Sequence, residues 1–264
     1  MNEKTFLNDF YKLKYYLQNN IHFSFTRFSD GELFVLQNKR LELNENHYII
    51  GDSVGGGWYN KEEQKKFIPG EHEYFRQKLE DCLKCDLPMF YRGICTKPDV
   101  DVNTFNWMIN LAGGDSETLT WSNLLINGNY EKYLNEIVPL FNDKEIIMIV
   151  NESANLNKLP FKVKKDFRVG TNCFINDYHL IETIKKYIID NNIKNHLFLV
   201  SAASLSNLLI HQLHILSKEN TYFEIGSTLN PIMEMDGWKG SRGYLREYWL
   251  GQHRNYLNMI CTWN

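Results

Sequence analysis

Residues 145–150 read EIIMIV, residues 196–200 read HLFLV, and residues 222–225 read YFEI. Each run is short and almost wholly apolar, without alternation, as expected of strands buried on both faces. Residues 177–189 (DYHLIETIKKYII) and 205–216 (LSNLLIHQLHIL) separate them, with apolar side chains at helical spacing. Buried strands joined by helices form a parallel sheet with helices on both faces. The fold class read from this stretch is α/β, Rossmann-like and mainly parallel. Working outward, residues 130–141 read as a helix with Tyr130, Tyr133, Leu134, Ile137 and Val138 on one face. Residues 3–19 form an amphipathic helix, His22–Phe28 a strand, Glu32–Asn38 a helix, and residues 71–85 another.

The 264 residues read as one domain, 1–264, with an N-terminal helix (3–19) and an irregular C-terminal segment (226–264). Lys and Arg number 29 against 32 Asp and Glu, a net charge of −3. No general attraction to nucleic acid or to an anionic membrane follows. Five cysteines (Cys82, Cys85, Cys95, Cys173 and Cys261) are an odd, scattered set, which argues for a reducing compartment rather than a disulfide framework. Cys82 and Cys85 lie in a helical pattern with no second pair to complete a zinc site. No apolar run approaches the ~18–20 residues of a membrane span, and the first residues do not read as a signal peptide. A soluble, cytoplasmic chain with no nucleic-acid partner and no transmembrane segment is the expectation. Aromatic residues make up 14% of the chain. They serve the core first, and the surplus is available to a sugar-stacking groove or to a homodimer.

Ligands of open α/β sheets collect beyond the carboxyl ends of the strands. Four stretches lie there: 27–32, 151–155, 201–204 and 226–230. In FTRFSDGEL (25–33), Asp30 and Glu32 flank Gly31, a spacing at which two carboxylates can approach one Mg²⁺ or Mn²⁺ ion. Arg27 offers a planar donor fork to phosphate. The other reading of the same residues is a helix start, with Ser29 or Asp30 as cap and Glu32 in the first turn. NESAN (151–155) brings Asn151 and Glu152 to a strand end, and SAASLSN (201–207) puts small residues at a strand-to-helix turn. Arg242 is available to neutralise phosphate. Residues 51–60 (GDSVGGGWYN) read as a mobile loop whose Trp58 and Tyr59 could stack on a sugar. Residues 113–130 offer Asp115, Glu117, Ser122, Asn123 and Asn127 to sugar hydroxyls, and equally to capping and turns. His211 and His214, three apart on a helix, read as packing or surface residues rather than metal ligands. The Glu224-Ile225-Gly226 strand end has the look of a methyltransferase motif.

Taken together, these stretches resemble the GT-D type glycosyltransferase domain, formerly a domain of unknown function, whose signature is a strand followed by R-[FY]-[GS]-D-G-E. FSFTRFSDGEL carries that signature. IIMIVNESANL, VGTNCF, LVSAASLSNLLIHQL and YFEIGSTLNP follow in the family's order over roughly residues 20–250. Ser201-Ala202-Ala203 departs from a Gly-Pro-Thr-like turn, Glu224 replaces the usual Asp, and Ser227 stands where His is frequent.

The resemblance implies metal-dependent transfer from a nucleotide-sugar donor, of UDP type, to a glycan or glycoprotein acceptor. It implies Asp30 and Glu32 as ligands of Mn²⁺ or Mg²⁺, and Arg27 on the diphosphate. Ser29, Gly31, Asn151, Asn172, Ser201, Ser204 and Arg242 complete the expected nucleotide-sugar set. Glu152 is the first candidate for the general base and Asp115 the second. Asp30→Ala and Glu32→Ala are expected to abolish turnover and leave the fold intact. A non-catalytic nucleotide- or glycan-binding module and an S-adenosylmethionine-dependent methyltransferase stand as alternatives.

Overall fold

The computed structural model describes residues 6–44, 47–56, 60–97, 99–253 and 255–259. The first half runs α1 (Phe6–Gln18), β1 (Ser24–Phe28), α2 (Asp30–Leu36), β2 (Leu41–Leu43), β3 (Tyr48–Ile50), β4 (Ser53–Gly55) and β5 (Lys66–Phe67). It continues with α3 (Glu73–Lys84), β6 (Phe90–Ile94), α4 (Val102–Leu111) and β7 (Leu119–Trp121). The second half runs α5 (Tyr130–Lys132), β8 (Glu145–Asn151), β9 (Lys165–Val169), α6 (Cys173–Asn176) and α7 (Leu180–Asp190). It closes with β10 (His196–Ser201), α8 (Leu205–Leu216), β11 (Thr221–Glu224), α9 (Trp238–Ser241) and α10 (Gly243–Leu250).

Seven strands form one sheet in the order β7-β6-β1-β11-β10-β8-β9, and every pairing in it is parallel. The α/β expectation is borne out. The three apolar runs are β8, β10 and β11, and they sit side by side near the centre. Pairing of Ser24 with Tyr222 and of Phe25 with Phe223 sets the register of β1 on β11. On one face, Ser24 Oγ and the buried His214 of α8 share a hydrogen bond of 2.8 Å. On the other, Phe25 and Phe223 meet, and Phe141 packs on Phe223. Helices thus cover both faces. His214 is a packed, buried histidine, as its spacing suggested, and burial lowers its pKa to about 4.

Three differences from the sequence reading matter. Residues 41–67 build a second, four-stranded antiparallel sheet in the order β4-β3-β2-β5. The Gly-rich stretch at 51–60 therefore opens on a turn at Gly51-Asp52 and continues as β4, while Trp58 and Tyr59 lie outside the described residues. Residues 130–143 are not one α-helix. They start with an α turn, widen to a π turn over Tyr133–Ile137, and tighten to a 3₁₀ helix over Val138–Asp143. Pro139, which lacks an N–H, sits at that last change and prevents a regular ladder. Finally, β6, β7 and β9 extend the sheet to strands that no apolar run announces. No helix among the described residues is long and apolar enough to cross a membrane.

Candidate functional site

The chain folds back on itself at the carboxyl ends of β1, β11 and β10. Arg27 is the penultimate residue of β1, and its side chain is 11% exposed. Its backbone N–H donates to Glu224 Oε2 at 2.7 Å, and Thr26 Oγ1 donates to the same oxygen at 2.9 Å. Glu224, buried at the end of β11, thereby fixes the strand end that presents Arg27. The guanidinium reaches Ser29 Oγ at 3.4 Å through Nη2, and its Nε lies 4.0 Å from Glu224 Oε1. Its Nε and Nη1 are buried without a hydrogen-bond partner among the described residues. Gly226 has φ +52°, and a Cβ there would stand 3.1 Å from Arg27 Nη1. Glycine is thus required twice over, by backbone conformation and by the approach of the guanidinium.

Burial pushes the Glu224 carboxyl up to about 7, although Arg27 pulls the other way. The native state therefore binds this proton more tightly than the unfolded chain does. The stability so gained is fully present below pH 4.5 and is lost as pH rises to about 7. Glu224→Gln is expected to remove that slope. Between these pH values the wild type should lose on the order of 3 kcal/mol relative to the variant, read from denaturant melts.

The helix start expected at Ser29 is what forms: α2 begins at Asp30, and Glu32 Oε2 accepts the Ser29 backbone N–H at 3.1 Å. Glu32 is buried, and its other oxygen accepts from Lys65 Nζ at 2.8 Å and from Ser204 Oγ. Lys65, 2% exposed, also donates to Ser204 Oγ. Its Nζ lies 2.8 Å from where a Cβ on Gly31 would be, so the ammonium fills the space beside the Asp30-Gly31-Glu32 backbone. Burial works to raise the Glu32 pKa. The charge of Lys65, with hydrogen bonds from Lys65, Ser204 and Ser29, outweighs it and holds the carboxyl below its ordinary value. Asp30 by contrast is exposed, and its Oδ1 accepts the Gly31 N–H at 2.9 Å.

The segment carrying Lys65 is held from the sheet. Asn151 Nδ2 donates to Glu62 O at 2.9 Å, and Asn172 Oδ1 accepts Lys66 N–H at 2.9 Å. Asn172 also donates its own N–H to Glu63 O at 2.8 Å, from a left-handed backbone with φ +49°. Both asparagines, expected on the nucleotide, are spent on positioning this segment. Ser201 Oγ donates to Gly226 O at 2.7 Å, which ties β10 to the Gly226 turn. Arg242 pairs with Glu63 at 2.9 Å and also feels the charges of Asp30 and Glu32.

Of the expected set, Arg27, Ser29, Asp30, Gly31, Glu32, Ser201, Ser204 and Arg242 come together. Glu152 does not reach them. It is exposed at the end of β8, three strands from β1, or about 14 Å at the usual strand spacing. Asp115 precedes β7 and so lies at the amino ends of the parallel strands, the opposite edge of the sheet. The methyltransferase-like strand end is also corrected: Glu224 is turned inward to Thr26 and Arg27 and presents no carboxylate to a ligand.

Solved structures share this architecture, although no protein-family model and no curated protein matches the chain. A selenomethionine structure of domain of unknown function 1792 (DUF1792) aligns over 94% of this chain and 82% of its own, with TM-score 0.51 and 14% identity. The same values hold for a DUF1792 structure described as having a distinct glycosyltransferase fold. This chain has the DUF1792 fold. A third structure, described as a new glycosyltransferase (DUF1792) from Streptococcus sanguinis, aligns over 87% of this chain with TM-score 0.51 and 14% identity. The resemblance drawn from R-x-x-D-G-E is thus borne out at the level of the fold.

On this DUF1792 fold the donor set at residues 30–32 does not fit a divalent cation. Among the described residues no three His, Cys, Asp or Glu side chains converge on one point. Glu32, one of the two expected ligands, already serves a buried ammonium, a hydroxyl and a backbone N–H. At an effective dielectric near 20, a dication about 4 Å from the Lys65 ammonium meets a repulsion of roughly 8 kcal/mol, which offsets the attraction of Glu32 at a similar distance.

Two residues of the site carry no local signal in the sequence. Lys65 lies in KEEQKKF (61–67), which reads as a solvated charge run. Asp99 follows β6, where its Oδ2 accepts from Thr96 Oγ1 at 2.6 Å and from Asn123 Nδ2 at 3.0 Å. Asp99 is exposed as a residue, yet desolvation of its carboxyl, with a smaller push from the Asp30 charge, raises its pKa. Asn123 had been read as a sugar-binding polar group, and here it positions Asp99.

Proposed function

We propose that the chain is a glycosyltransferase, moving a sugar from a nucleotide-sugar donor of UDP type to a hydroxyl of a glycan or glycoprotein acceptor. The observation that carries this reading is Arg27. It is a nearly buried guanidinium with two unspent donor groups, set at the carboxyl end of the central β1 in a fold shared with structures described as glycosyltransferases. A planar fork of this kind suits the oxygens of a diphosphate.

In the transfer, the bond from the anomeric carbon to the diphosphate oxygen breaks, and its electron pair leaves with the diphosphate. The acceptor oxygen bonds to that carbon and gives its proton to a carboxylate. Arg27 and Arg242 stabilise the charge that grows on the departing diphosphate. We assign Asp30 and Asp99 as the carboxylates that take the proton, and the upward shift of the Asp99 pKa by desolvation makes it a stronger base than an ordinary aspartate. The four cysteines described are free, in keeping with a cytoplasmic enzyme.

Thermal unfolding against a panel of nucleotides and nucleotide sugars tests the reading. At about 100 times its Kd, the bound donor should add about 2.7 kcal/mol to stability, a rise of roughly 5–10 °C in Tm. Stabilisation by S-adenosylmethionine alone would contradict it.

A further inference from the structure

We infer that this chain binds the diphosphate of its donor without a divalent cation, with Lys65 standing as a resident cation beside Glu32 while Arg27 and Arg242 take the phosphate oxygens. The inference rests on the donor proposed above, and it concerns how that donor's charge is met. A carboxylate offers about four lone-pair sites. On Glu32, Lys65 and Ser204 take two of these at Oε1, and the Ser29 N–H takes a third at Oε2. Glu32 keeps at most one free lone-pair site, so within residues 30–32 Asp30 is the carboxylate with room for an external cation.

Lys65 is not a passing neighbour of Glu32. Its side chain is 2% exposed, and its backbone carbonyl accepts the Leu43 N–H at 2.9 Å, within the small antiparallel sheet. Asn151 and Asn172 anchor the residues on either side of it. The small sheet therefore delivers a fixed positive charge to the carboxyl edge of the large one. Glu32 is neutralised from inside and no longer repels a diphosphate. The unspent Nε–H and Nη1–H of Arg27 remain for the ligand.

The test measures uridine diphosphate binding by calorimetry and by thermal shift, in excess EDTA and again in Mn²⁺. The expected result is a Kd that agrees within about twofold between the two buffers, since no metal bridges ligand and protein. Binding that strengthens about tenfold or more in Mn²⁺ would overturn the inference and leave the donor proposal standing. Absence of binding by uridine diphosphate and by every nucleotide sugar in both buffers would overturn the two together.

A second readout is independent of nucleotide. Mn²⁺ alone, followed by electron paramagnetic resonance, should not bind the wild type through Glu32. In Lys65→Ala the freed carboxylate should take up Mn²⁺ and the ion should raise Tm. Mn²⁺ bound to the wild type and lost in Glu32→Gln would refute the inference, whether or not Lys65→Ala folds.

Discussion

Lys65→Ala is expected to unfold on the order of 10 °C below the wild type. The ammonium it removes is 2% exposed and is the counter-charge of the buried Glu32. A buried pair adds little net stability when whole, but losing one partner strands a desolvated charge and costs about 3–5 kcal/mol. Glu32→Ala strands the ammonium instead and should lose a similar amount. The sequence expectation that Glu32→Ala spares the fold is therefore revised: its loss of turnover comes with a loss of stability. Asp30→Ala, at an exposed position, should spare the fold. The double variant Glu32→Leu/Lys65→Met should regain most of what either single change costs, because it leaves no charge unpaired. Scanning calorimetry at neutral pH reads all four variants. A loss below about 1 kcal/mol in Lys65→Ala would show that the pair is solvated like a surface bridge.

Arg27→Lys is expected to reduce nucleotide-sugar turnover about 100-fold with little change in Tm. Lysine keeps the charge opposite Glu224, so folding is spared. It loses the planar fork whose Nε and Nη1 make no hydrogen bond among the described residues. A single donor aimed at developing charge is worth about 10²–10³ in rate. The effect should fall on kcat/KM for the donor, with the acceptor's KM unchanged. Retention of activity within about threefold would show that Arg27 only braces Glu224.

Which parts of this molecule are legible in the chain follows from what each residue's neighbours are. Strands β8, β10 and β11 are covered on both faces, so their central positions are apolar and the run stands out. Strand β6 reads FYRGI and hides the same burial. Arg92 is fully buried there because it donates to Leu83 O, Ala112 O, Asp86, Ser116 and Thr118, partners that only the fold assembles. Gly93 is needed because a Cβ would stand 2.6 Å from Trp121 O on β7, again a contact between distant residues. The strands of the small sheet have two or three residues each, too few to show any period.

The site divides in the same way. Arg27, Asp30 and Glu32 are close in sequence and their spacing is readable. Lys65 comes from 33 residues beyond Glu32, out of a run of charges that composition assigns to solvent. Asn151 is legible as a strand-end residue and Asn172 only through the family resemblance, and the side chains of both face protein. Glu152 and Asp115 lie away from the Arg27 cluster for a topological reason. One sits three strands away and the other at the wrong edge, and neither fact exists before the strand order is known.

The most direct test of the central claim is release of nucleoside diphosphate from a panel of nucleotide sugars, followed by chromatography with the wild type and Arg27→Lys side by side. The expected result is release from at least one nucleotide sugar by the wild type, reduced about 100-fold in Arg27→Lys. No release and no binding for any nucleotide sugar, with acceptor glycans present, would contradict it.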